Sequence, residues 1–158
     1  MPPYSDRLEG GIRGVRVGVI SRLVERAEPR IGATVEAALA ELRSLGARLV
    51  AVAPSLIDHA GTIQQAMQFQ EAAAAHMEWM RTRLPEYDSD VRARLLVGLV
   101  LPSTLYVTAQ RARRVARDEL RRLFEGVDLL AAPSMPVLPP RLGEETVELE
   151  GREVLYRL

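Results

Sequence analysis

A chain of 158 residues, 47% apolar and 27% charged, has the length and composition of a globular domain with a core and not of a disordered segment. Twenty-one basic residues balance twenty-one acidic ones, so bulk charge gives no pull towards nucleic acid or an anionic membrane. There is no cysteine and no lysine; that excludes disulfides, thiolate nucleophiles, lysine bases, Schiff bases and a P-loop.

The only histidines are His59 and His76, too few for a multi-histidine metal site. No metal and no cofactor is expected. No run approaches the ~20 apolar residues of a membrane span, and the N-terminus lacks the basic-then-apolar pattern of a signal peptide. The expectation is a cytoplasmic protein.

Residues 1–12 are polar, with Pro2, Pro3, Gly10 and Gly11, and predict a linker or arm. Residues 13–158 then form the domain. Val15, Val17, Val19 and Ile20 predict a first strand. Pro29 predicts a helix start, followed by an apolar stripe of Ile31, Val35, Ala38, Leu39, Leu42 and Leu45 and a stop at Gly46. Residues 47–53 are almost continuously apolar and predict a second strand, in a sheet covered on both faces. Strand, helix and strand at this spacing make a βαβ unit with parallel neighbours. Gly18 alone does not make a dinucleotide loop, because Val19-Ile20-Ser21-Arg22 follows it in place of further glycines.

Residues 62–83 predict a long helix with Ile63, Ala66, Met67, Ala73, Ala74, Met77 and Met80 on one side. Leu84-Pro85 ends it. Asp90 is placed to cap a helix from Val91 to Leu101. Pro102 separates this from an arginine-rich helix that Ser103 would cap and Gly126 would end as a C′ glycine. Its stripe is Tyr106, Ala109, Arg113, Ala116, Leu120 and Leu123. Residues 127–133 predict a short buried strand. A proline-punctuated loop leads to two alternating segments, Thr146–Leu149 and Arg152–Leu155, around Glu150-Gly151, the pattern of a hairpin. The fold class is α/β: a partial mixed sheet with a βαβ unit, several long helices and a C-terminal hairpin.

The chemistry-bearing residues each have a plain structural reading. Arg111, Arg113, Arg114, Arg117, Arg121 and Arg122 could track phosphates, but Asp118, Glu119 and Glu125 and the neutral total favour a solvated face. His76 lies near Glu71, Glu78 and Trp79; an acid–base pair and a hydrogen-bonded packing histidine both fit. Glu86, Asp88 and Asp90 lack the glycine and terminal glutamate of a calcium loop, so a capped turn is expected. No serine stands in a Gly-x-Ser-x-Gly elbow or near a base. No catalytic residue is assigned.

Several motifs, in order and at the right spacing, resemble the amidase signature family. They are Gly14-Val15-Arg16-Val17-Gly18-Val19, then Leu45-Gly46-Ala47, Glu71-Ala72-Ala73-Ala74-Ala75-His76 and residues 87–95. Tyr106-Val107-Thr108-Ala109-Gln110-Arg111 and residues 127–136, ending Ala132-Pro133-Ser134-Met135-Pro136, complete the set. The resemblance implies amide hydrolases about three times longer, built on a large mixed sheet between helices. It also implies a Ser–cis-Ser–Lys catalytic arrangement, carried by a glycine- and serine-rich segment N-terminal to everything matched here. Only pocket wall and scaffold carry over. Arg94, or Arg92 in the alternative register, matches an arginine implied to meet a substrate carboxylate. Tyr106 and Met135 are the other substrate-binding candidates. Gln64 and Gln65 stand where glutamine-using relatives have a tyrosine pair, which counts against glutamine or aminoacyl-tRNA as the substrate.

The expectation is therefore a segment of an amidase-type hydrolase of small amides, inactive as an isolated chain. It would dock onto the remainder of the amidase fold or form a homo-oligomer, without nucleic acid or membrane. The alternative is a non-catalytic binding or regulatory module reusing the scaffold. A nucleic-acid binder using the Arg111–Arg122 face would need steep salt dependence.

Overall fold

The computed structural model describes residues 10–156; most of the arm expected at 1–12 lies outside them. The elements are β1 (Arg16–Ile20), α1 (Ser21–Glu25), α2 (Pro29–Ser44), β2 (Arg48–Val52), α3 (Ala60–Arg83), α4 (Ser89–Val100), α5 (Ser103–Gly126), β3 (Leu129–Ala131), β4 (Thr146–Leu149) and β5 (Arg152–Leu155). Short 3-10 turns precede and follow α3, at Ile57–His59 and Leu84–Glu86. The class is α/β, as its pattern predicts. The strands form one parallel sheet and one separate antiparallel hairpin.

Two compact units divide the chain: 1–53 with 122–158, and 54–121. In the first unit β1 is central, with β2 and β3 parallel on either side. The βαβ reading holds: Arg16 to Ile20 pair in step with Arg48 to Val52. Pro29 opens α2 where its missing N–H is harmless. Gly46 closes it at φ +97°, a left-handed turn natural to glycine. Gly18 is needed for close packing: a Cβ there would stand 2.8 Å from Leu130 Cδ2 and 3.2 Å from Val127 Cγ1. The core comprises Val17, Ile20, Val24, Ala47, Val127 and Val137.

Two expectations fail in this unit. The β2 residues are exposed or half-buried, and Leu129 of β3 is 55% exposed, so neither strand is enclosed on both faces among the described residues. The apolar runs are present, but the layers that would cover them are not. Likewise α2 buries no residue fully; Ala38 and Leu45 of its predicted stripe are exposed. The hairpin forms in the predicted register, Thr146 opposite Leu155 and Leu149 opposite Arg152. Glu150 and Gly151 have φ of 53° and 72°, the pair of positive values that a two-residue I′ turn requires.

The second unit is helical. Helices α3 and α4 cross so closely that a Cβ on Gly98 would lie 2.0 Å from the Phe69 carbonyl oxygen and 2.9 Å from the Ala73 Cβ. Small residues at the crossing let the backbones meet, and Ala66, Ala73, Met80, Leu95 and Ala109 fill the core. Ala74 and Arg113, assigned to apolar stripes, are exposed. The cap of α4 is Asp88, whose carboxylate accepts the Asp90 N–H at 3.0 Å; Asp90, the expected cap, sits inside the helix. Gly126 is the last residue of α5 and is not left-handed, so that helix ends without the expected glycine cap. No single described helix is long and apolar enough to cross a membrane.

Candidate functional site

Arg94 sits one helical turn after Asp90 on α4, and its guanidinium forks that carboxylate, Nη2 to Oδ2 at 3.1 Å and Nε to Oδ1 at 3.3 Å. An acid four residues before a base favours this contact. The fork is the geometry a substrate carboxylate would use, so an anionic ligand here must displace or share the Asp90 carboxylate. Arg92, the alternative register, is half-buried on the same helix.

Tyr106 on α5 reaches Glu71 on α3. Its hydroxyl donates to Glu71 Oε1 at 2.9 Å and accepts from Gln110 Nε2 at 2.8 Å. With both hydroxyl functions engaged, Tyr106 ties two helices together. The sequence separation of 35 residues leaves no local signal for this contact. Ser55 is held similarly by α5: its N–H and hydroxyl donate to the two Glu119 carboxylate oxygens at 2.8 and 2.9 Å. The Glu119 carboxylate thereby accepts both donors of Ser55 and ties the segment ahead of α3 to α5.

Met135 belongs to the other unit. It is exposed and lines a shallow cleft of about 400 Å³ with Ile31, Thr34, Val35, Ser134 and Leu138. The cleft lies where β3 runs out and α2 begins, and its lining is mainly apolar. Arg94 and Tyr106 share the helical unit; Met135 stands apart from them in the chain's division.

The Glu–His pair considered for His76 is replaced by a Tyr–His pair, with Nδ1 2.8 Å from the Tyr87 hydroxyl and the Trp79 ring edge-on. The acidic turn is a capped turn, as expected. Glu86 pairs with Arg83, Asp88 caps α4 and Asp90 pairs with Arg94, and no metal-holding group of acids or histidines occurs among the described residues. On the arginine helix Arg121 pairs with Asp118 at 3.1 Å.

The strongest electrostatic feature is structural. Asp128, just before β3, accepts the Arg16 backbone N–H at 2.8 Å and the Arg16 side chain at 2.7 and 3.1 Å, and its own N–H donates to the Arg16 carbonyl at 2.8 Å. The Arg16 side-chain bonds, then its backbone N–H, lower the Asp128 pKa to about 2 against the opposing effect of desolvation. Sequence reading missed this clamp because its halves lie 112 residues apart.

The chain matches the family described as Amidase over residues 1–158. It is 32% identical over 146 residues to an amidase of Pseudomonas putida, covering 92% of this chain and 31% of that protein. It is 30% identical over 165 residues to a glutamyl-tRNA(Gln) amidotransferase subunit of Halobacterium salinarum, covering 89% of this chain and 39% of that one. A solved structure, reported as a vestigial protein complex bearing on the origins of an s-triazine catabolic enzyme, superimposes with a TM-score of 0.88 at 27% identity. It covers 99% of this chain and 34% of its own. The chain thus spans about a third of the length of the relatives it matches. With the motifs, the fold and the family match agreeing along its length, this chain belongs to the amidase family.

Proposed function

We propose that this chain is the substrate-side scaffold of an amidase-type hydrolase of C–N bonds in small amides, and that alone it performs no turnover. The observation that carries the reading is family membership over the whole sequence in a chain without lysine. Amide hydrolysis needs an activated nucleophile and a base to serve it. The family resemblance puts both in a segment without counterpart here, and Ser55, which does meet a carboxylate, gives both its donors to Glu119 as a tie between α5 and the segment ahead of α3.

In this reading residues 13–158 are part of one amidase domain behind an arm at 1–12, and the protein works in the cytoplasm without nucleic acid or membrane. Its partner is the remaining amidase scaffold or a second copy. Exposed apolar side chains support that, with Val100 78% exposed and Leu129 at the open edge of β3. In the helical unit Arg94 would receive a substrate carboxylate and Tyr106 is a second candidate contact; in the sheet unit Met135 is a candidate apolar contact.

The test adds the catalytic portion of an amidase relative in trans and follows ammonia release. Hydrolysis should appear only with both parts present. Arg94→Ala should raise KM for a carboxylate-bearing amide by about 10- to 100-fold, as expected for losing a charged hydrogen bond, and leave a neutral amide nearly unchanged. Equal effects on both amides would remove Arg94 from the substrate.

A further inference from the structure

A second feature of the helical unit takes no part in the proposed reaction. His76 and Trp79 on α3, with Arg83, Glu86 and Tyr87 at its C-terminal end, line a cavity of about 250 Å³. Three of these five residues are aromatic rings. Against His76, Trp79 stands at 62° with ring centres 5.7 Å apart, and Tyr87 at 81° with centres 5.6 Å apart. Rings inclined this steeply form the walls of a corner instead of a stack. The His76–Tyr87 contact of 2.8 Å fixes two of them relative to each other. Trp79 is the chain's only tryptophan and is 55% exposed.

The rim carries an ion pair. Arg83 Nε donates to Glu86 Oε2 at 3.0 Å, and Arg83 Nη2 donates to the same oxygen. Arg83 and Glu86 thereby offset one another, and Glu86 Oε1 is left as an acceptor with no hydrogen bond among those described. An aromatic corner presents electron-rich ring faces, and a cation near them is attracted by the ring quadrupoles. The Glu86 Oε1 left outside the ion pair adds a hydrogen-bond acceptor for an N–H or an electron-poor methyl group. The volume suits one small head group and no more.

We infer that the His76–Trp79–Tyr87 corner with Glu86 at its rim binds a small organic cation, an alkylammonium or guanidinium group. Trp79 reports directly on occupancy. Titrating the full chain with choline should change Trp79 fluorescence saturably, whereas 3,3-dimethylbutan-1-ol, which has the same shape without the charge, should do so at least about tenfold more weakly. Glu86→Gln should weaken choline binding by about tenfold while the circular dichroism spectrum is retained, and Tyr87→Leu, read by calorimetry, should weaken it as well. A blocked arginine-containing peptide in the same titration tells a polypeptide source of the cation from a free one; tighter binding than choline marks the polypeptide. Equal responses to choline and its neutral analogue, no saturable response to any cation, or binding of benzoate in their place would overturn the inference.

Discussion

The two units hold themselves together by opposite means. The sheet unit joins segments far apart in sequence: β1 pairs with β2 about thirty residues on, and with β3 more than a hundred residues on. The Arg16–Asp128 clamp fixes the start of the longer-range pairing. The helical unit is built around neighbours, α3 folding back on α4 through one short turn, with Tyr106–Glu71 and Ser55–Glu119 as its longer ties. Its contacts are tight where they occur: backbone meets backbone at Gly98, while at Gly18 the neighbours are side chains. Local pairing allows close, rigid packing of small residues, whereas distant pairing relies on hydrogen-bonded edges and a charged clamp.

The same substitution should therefore have unequal effects in the two units. Gly98→Ala drives a methyl group into the Phe69 carbonyl, and the helices must part; the loss should be about 3 kcal/mol, at the upper end for overpacking. Gly18→Ala meets chiefly the end of the Leu130 side chain, which can swing aside, and should cost about 1 kcal/mol. Chemical denaturation of both variants checks the pair, and equal losses would erase the contrast. The smallest effect belongs to Asp128→Asn, because the clamp is exposed and screened. The Asp128 pKa of about 2 lies below the ordinary 3.8. Its contribution is therefore complete above about pH 4 and lost as pH falls towards 2. The melting temperatures of wild type and Asp128→Asn should differ at pH 7 and converge across that window.

The same contrast explains what could be read from sequence. The Pro29 start, the Gly46 stop and the Glu150-Gly151 turn were legible because each is set by residues within a few positions, and the βαβ unit was legible from the order and spacing of its elements. The Arg94–Asp90 pair has a local cause, a four-residue spacing, but sequence reading makes Asp90 a cap and misses the pair. The contacts of Tyr106 with Glu71, Ser55 with Glu119 and Arg16 with Asp128 were not legible, since they join elements 35 to 112 residues apart. The enclosed strands predicted for 47–53 and 127–133 show the reverse case. Their apolar character is that of a larger sheet, and the described residues do not supply its covering layers. Arg94, Tyr106 and Met135 were reached through family resemblance, and the geometry gives the first two structural partners in addition.

The central claim is that this chain carries amidase scaffold without amidase chemistry. Ammonia release from a panel of small amides by the purified 158-residue protein tests it most directly. The account predicts no release above buffer at any protein concentration. Turnover that scales with protein and is abolished by Ser55→Ala or Ser134→Ala would contradict it, because a nucleophile and its base would then reside in this chain.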